Sequence, residues 1–178
     1  MKDINLHSAV CMLVMLLLAS CNATFTRHNS LLEEIGIEGV THIDIREDIF
    51  DVKIEPSWSD TLKVEVYADD ITMNGMTGFE KLIKNEGLYE VKRDSTCIEI
   101  RNSRSMMRGV KKSKGEMTIK IPQGVTYVRV SSKRSDVRAV DVEFDTLEIY
   151  ATRGSVHLEN CKVENPHIRC EHVIMIDK

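Results

Sequence analysis

Beyond Gly39 the chain alternates apolar with charged residues. Ile43-Asp44-Ile45, Phe50-Asp51-Val52-Lys53-Ile54 and Leu62-Lys63-Val64-Glu65-Val66 repeat with a period of two, which lays one face of a strand on a core and the other in water. Pro56-Ser57-Trp58-Ser59-Asp60 separates the last two as a turn. The period changes once. Thr77 and Glu80 have capping-box spacing, Phe79, Leu82 and Ile83 share a face, and Gly87 follows as a stop, so one short helix is predicted over 77–86. Strands resume at Tyr89-Glu90-Val91, Ile98-Glu99-Ile100 and Met117-Thr118-Ile119-Lys120-Ile121, the last closed by Pro122.

From Val125 onward the alternation itself recurs. Displacing VRVSSKRSDVRAVDVEF by 19 residues lays it on LEIYATRGSVHLENCKV, with Val128 on Leu147, Val130 on Ile149, Val137 on Val156, Ala139 on Leu158, Val142 on Cys161 and Phe144 on Val163. A fixed interval of short strands, none able to bury its face alone, predicts an all-β fold, a β-solenoid of about 19 residues per rung. Right-handed winding is expected from the hand of parallel crossovers, with an N-terminal strand-rich cap and the one helix completing the fold. Pro166, Ile168 and Met175 fall under the same columns, so a third, incomplete turn ends the chain and leaves an edge. Polar residues stack too: Arg129, Glu148 and His167 share a column, and Asp136 and Ser155 share a turn, where Gly154 is expected to supply backbone freedom.

The N-terminus obeys a different pattern. Val10 to Leu18 is apolar for about half the length a spanning helix needs, and it closes on Leu18-Ala19-Ser20-Cys21, which looks like a bacterial lipobox. Residues 1–20 then form a lipoprotein signal peptide, and Cys21 is the lipidation site through which the chain would meet a membrane; two or three acyl chains hold where one would not. Asn22 to Ser30 lacks hydrophobic period, so 21–39 is expected to be the lipidated Cys with a flexible tether, and 40–178 a single adhesin-like β-solenoid domain. Asn at position 22 and the absence of an acidic cluster after it favour an outer-membrane lipoprotein on the periplasmic face, with the cell surface as second choice.

Composition narrows the partners. The 24 Lys+Arg and 28 Asp+Glu give a formal charge of −4, which loss of Lys2 and Asp3 with the signal leaves unchanged, and this argues against nucleic acid. Cys97, Cys161 and Cys170 are odd in number and lack C-x-x-C or His at ligand spacing, so no metal, cofactor or disulfide framework is expected; Cys97 and Cys161 read as small buried hydrophobes. Asp136, Asp141, Glu143, Asp145, Glu148 and Glu159 scatter over different columns, and no nucleophile elbow, H-E-x-x-H or phosphate loop is present, so no enzyme is expected and no catalytic residue assigned.

Thr41-His42-Ile43-Asp44-Ile45 and the strands after it, above all Ile119-Lys120-Ile121-Pro122 followed by Val128-Arg129-Val130-Ser131-Ser132, resemble the putative-adhesin family: the head GIN domain and adhesin-like β-helix lipoproteins of Bacteroides-like bacteria. The resemblance covers most of 40 to 165. Ser132-Lys133-Arg134-Ser135-Asp136 departs from it, standing where Gly-rich turns are common. It implies a β-helical fold without established catalytic residues, and adhesion only by analogy.

Two clusters carry candidate binding chemistry. Arg101, Arg104, Arg108, Lys111, Lys112 and Lys114 lie in a stretch without an acid, which suits phosphate, sulfate, lipopolysaccharide cores or anionic headgroups, or else a solvated hairpin loop. Arg134, Arg153 and His172 share a column of the repeat and form a basic ladder for a polyanionic glycan, or merely exposed turns. The expected function is a lipid-anchored, adhesin-like envelope module for a glycan or protein partner. The alternative is a structural or sensory periplasmic module that stacks through its open edge, and the remote one a polysaccharide-active β-helix enzyme.

Overall fold

A computed structural model describes residues 22–74, 89–102 and 110–176. Eleven strands among them belong to one sheet. Its unit is a rung of two strands with a bend between them. β6 (Cys97–Asn102) and β7 (Val110–Pro122) make one rung, β2 (His42–Arg46) and β3 (Asp51–Ser57) the next, and β8 (Tyr127–Ser132) and β9 (Val137–Val140) the third. β10 (Glu143–Glu159) and β11 (Lys162–Ile176) each run through the bend as one long strand. Because β10 pairs in parallel with β8 through its first half and with β9 through its second, the sheet curls back on itself as two walls over one core.

The alternation in sequence becomes columns in space. Ile98, Ile43, Val128 and Leu147 stand side by side on successive strands of one wall, as do Ile100, Ile45, Val130 and Ile149. On the other wall Met117, Val52, Val137 and Val156 form one column and Ile119, Ile54, Ala139 and Leu158 another. All sixteen are buried, Leu158 the most exposed at 8%. Burying each of them except the smaller Ala139 contributes about 1.5–3 kcal/mol, and the contribution exists only where a neighbouring rung covers it.

Residues matched at an interval of 19 in the sequence are therefore neighbours where β8 and β9 meet β10. The earlier strands obey other intervals. β2 lies between β6 and β8 and β3 between β7 and β9, with bonded residues 55 and 85 positions apart. β2 and β3 have neighbours on both edges and sit inside the stack. Antiparallel strands close the β6–β7 end: β5 (Tyr89–Arg93) on β6, and β4 (Thr61–Asn74) on β7. Asn22–Gly36, read above within a tether, runs as β1 along β4, whose outer edge would otherwise leave its backbone groups unpaired. The predicted helix over 77–86 lies outside the described residues.

Polar side chains stitch the bends. Asp51 Oδ1 accepts the backbone N–H of Asp136 at 2.9 Å, and Asp136 Oδ1 accepts that of Ser155 at 2.7 Å. Asp48 Oδ1 accepts the N–H of Lys133 at 2.7 Å in the same way. Gly154 is needed here for space rather than for a left-handed φ. A Cβ on it would stand 2.1 Å from the Ser135 carbonyl oxygen of the rung beside it.

Candidate functional site

The outer faces of both walls carry charge in paired form. Glu99, Asp44, Arg129, Glu148 and His167 occupy one outward column, and Arg129 Nε donates to Glu148 Oε2 at 2.9 Å. Arg46 reaches Asp44 at 3.0 Å and Glu99 at 3.6 Å. On the second wall Lys120 pairs with Glu65 at 3.0 Å, Arg138 with Glu159 at 2.7 Å, and Lys53 with Glu55. Pairs this exposed contribute roughly 0–1 kcal/mol each. Their larger effect is to leave neither wall with a field of one sign.

The sequence candidates do not gather into one site. Arg101 ends in β6 with its guanidinium 2.6 Å from Glu90. Lys112 stands opposite Thr72 and Lys114 opposite Asp70 in the β4–β7 ladder, and Lys111 lies in the same strand. Arg104 and Arg108 are outside the described residues. Arg134 and Arg153 are exposed at bends, whereas His172 stands opposite Ser155. The bend of β11 is shorter than that of β10, so Ala151–Cys170 is followed directly by Ser155–His172, and Arg153 has no place in that column. Cys97, Cys161 and Cys170 are free and half-buried. Cys97 points outward opposite His42 rather than into the core, and burial, then the Asp94 carboxylate, raises its thiol pKa, which disfavours the thiolate.

Glu47, at the bend of the β2–β3 rung, went unmarked in the sequence. It is fully buried. Oε1 accepts the N–H of Ile49 at 2.6 Å and of Phe50 at 2.9 Å, and the Asn102 side-chain amide donates to both carboxylate oxygens. Asn102 Oδ1 in turn accepts the Asp48 N–H at 2.8 Å, so one knot ties two rungs. The buried Tyr89 hydroxyl faces the same carboxylate without hydrogen-bond geometry. Burial pushes the Glu47 pKa up to about 7, against the pull of the Phe50 and Ile49 N–H groups.

Opposite the bends, turns link one rung to the next, and a groove of ≈ 1110 Å³ runs across them. Its walls come from the end of β3, from Ile121 to Thr126, from Asp141 to Asp145 and from Cys161 to Glu164. The turns are tightly specified: Asp141 and Asn160 both adopt positive φ, and the Asn160 amide donates to Asp141 Oδ1 at 2.9 Å. Three of the six acids that seemed scattered, Asp141, Glu143 and Asp145, share this groove. Asp141, Glu143, Asp145 and Glu164 line the groove, with Glu143 3.6 Å from the Lys162 ammonium. At its lip stands Trp58, 96% exposed. Its turn is pinned by hydroxyls: Ser57 Oγ lies 3.0 Å from Ser59 Oγ and donates to the Thr61 carbonyl at 3.1 Å. Among the described residues no three His, Cys, Asp or Glu are placed to hold a metal.

The architecture defines an all-β, solenoid-like repeat protein. Residues 40–175 match the Toastrack DUF4097 family, and the chain belongs to it. No curated protein matches it in sequence. Among solved structures it is similar to a "putative cell adhesion protein" of Clostridium sporogenes, at 9% identity and a TM-score of 0.48, over 89% of this chain and 100% of that one. A "putative adhesin" of Parabacteroides distasonis gives 10% identity and a TM-score of 0.42, over 83% of this chain and 65% of that one. A "putative lipid binding protein" of the same organism gives 12% identity and a TM-score of 0.35, over 84% and 67%.

Proposed function

We propose that this chain is a lipid-anchored, non-catalytic binding module of the cell envelope, held at Cys21 and offering its link-side groove to a macromolecular partner. One observation carries the reading: Trp58, the most exposed large hydrophobic residue among those described, stands on a hydroxyl-pinned turn and borders a large groove. An aromatic left in water loses burial that the same residue would gain in a complex, and tryptophan is enriched at interfaces for that reason. The outer membrane, periplasmic face first and cell surface second, is the proposed address. The relation to head GIN adhesins and the right-handed winding belong to the same proposal.

Membrane fractionation with mass spectrometry of the N-terminal peptide tests the anchor. A diacylglyceryl adduct on Cys21, and release of the Cys21→Ser chain to the soluble fraction, are expected; an unmodified thiol in membrane-bound protein contradicts it. A second reading, stacking on another chain, is favoured by β11, which among the described strands pairs with β10 alone and leaves Val173 47% and Met175 64% exposed. Concentration-dependent association abolished by Met175→Lys, with Trp58→Ala inert, would select it.

A further inference from the structure

We infer that the groove beside Trp58 takes a neutral or amine-bearing polysaccharide segment, laid across the rungs, and not a polyanion; this rests on the binding-module reading above. The floor argues first. Ile121, Val125, Val142 and Phe144 line the groove but are 3%, 4%, 3% and 6% exposed, so they have almost no apolar surface left to offer. A protein segment docks by sinking apolar anchors into pockets with apolar surface to cover, and this floor gives it little. Pro56, Cys161 and Val163 are half-buried, so the largest apolar surface in the groove is the exposed indole of Trp58, set against a polar rim. A sugar ring matches that combination, with a C–H face to stack on Trp58 and hydroxyls to donate to carboxylates around it.

Charge then selects among glycans. Four carboxylates, Asp141, Glu143, Asp145 and Glu164, face one ammonium, Lys162. Sulfated or phosphorylated chains are repelled there, and a glycan carrying free amines is drawn in. Length comes from the rungs. The linking turns repeat at the spacing of neighbouring strands, about 4.8 Å, so polar groups recur along the groove on the scale of a polymer rather than a monosaccharide. Of the basic stretch, Arg101 is paired with Glu90, and among the described residues neither Arg101 nor Lys114 lines the groove.

Trp58 is the only tryptophan in the chain, so its fluorescence reports the site without a label. The full chain, held in a detergent without a sugar headgroup, is titrated with cellohexaose, a chitin pentamer, a glucosamine pentamer, a heparin hexasaccharide and an oligolysine peptide. A saturable emission change with at least one neutral oligomer or the glucosamine pentamer, and none with heparin, is the expected result. In calorimetry the Trp58→Ala chain should lose about tenfold in affinity and Trp58→Phe should recover part of it. Glu143→Gln combined with Glu164→Gln should weaken the glucosamine pentamer more than the neutral oligomers. A response to heparin or to oligolysine alone overturns the inference, as does silence to every saccharide. If silence is accompanied by undiminished capture of envelope components by Trp58→Ala, the inference fails and the binding-module reading survives. If the unaltered chain captures nothing either, both fail.

Discussion

Gly154 and Ser135 touch across neighbouring rungs so closely that a side chain on the first would meet the carbonyl oxygen of the second at 2.1 Å. Backbone, not a flexible side chain, is what stands in the way. Gly154→Ala must push the rungs apart at the bend, at a cost of about 1–3 kcal/mol. Gly36→Ala, where nothing lies within 4 Å of the added Cβ, is the matched control and should change stability by less than about 0.5 kcal/mol. Urea denaturation of both variants checks the contrast; equal stabilities would show that the rungs can separate freely here.

The Glu47 knot gives stability a pH dependence of definite sign. Its folded-state pKa is raised from 4.5 to about 7. The charged form is therefore less favourable folded than unfolded. Its contribution is fully present below pH 4.5 and is lost as pH rises through 7, a loss of about 3 kcal/mol over that window. Asp51, raised mainly by burial, adds in the same direction. Denaturation midpoints should fall from pH 5 to pH 8 in the unaltered chain, and the slope should flatten in Glu47→Gln whatever the variant's absolute stability. A midpoint that climbs over this range would reverse the sign of the argument.

Core and surface should separate sharply in their response to truncation. Ile45 is 0% exposed and sits between Ile100 and Val130, so Ile45→Ala should cost about 2–5 kcal/mol in thermal or urea unfolding. Trp58→Ala removes a larger side chain, yet one 96% in solvent, and should stay within about 0.5 kcal/mol. A large loss on removing Trp58 would make it a structural residue and remove it from the binding site.

The surface ion pairs are expected to matter little. Arg129 and Glu148 meet at 2.9 Å with the Arg side chain 40% exposed. Arg129→Ala should lower stability by no more than about 1 kcal/mol, and by less at high salt. A double-mutant cycle with Glu148→Gln isolates the pair; a coupling unaffected by salt would place it in a drier setting than this.

The period-two alternation made the strands and the inward columns legible, because a one-residue slip would have turned every apolar residue outward. Val128 beside Leu147 was readable, since adjacent rungs there are consecutive in the chain. Ile43 beside both Ile98 and Val128 was not: parallel pairing across 55 and 85 residues is chosen by how whole rungs pack, and nothing local records it. Glu47 reads as one more charged residue in Arg46-Glu47-Asp48, and only the bend buries it. The groove was hidden for the same reason. Asp141, Glu143 and Asp145 belong to one turn and strand start, while Glu164 and Trp58 come to them through pairing between rungs.

We propose the link-side groove, rather than the basic stretch near residue 110, as the face this molecule presents to its partner. Equilibrium binding of the purified full chain to isolated cell envelopes decides between them most directly. Trp58→Ala should weaken binding about tenfold, while Lys111→Glu with Lys112→Glu leaves it near the unaltered value at about 0.15 M salt. Loss of binding in the lysine variant with Trp58→Ala unchanged would contradict the account.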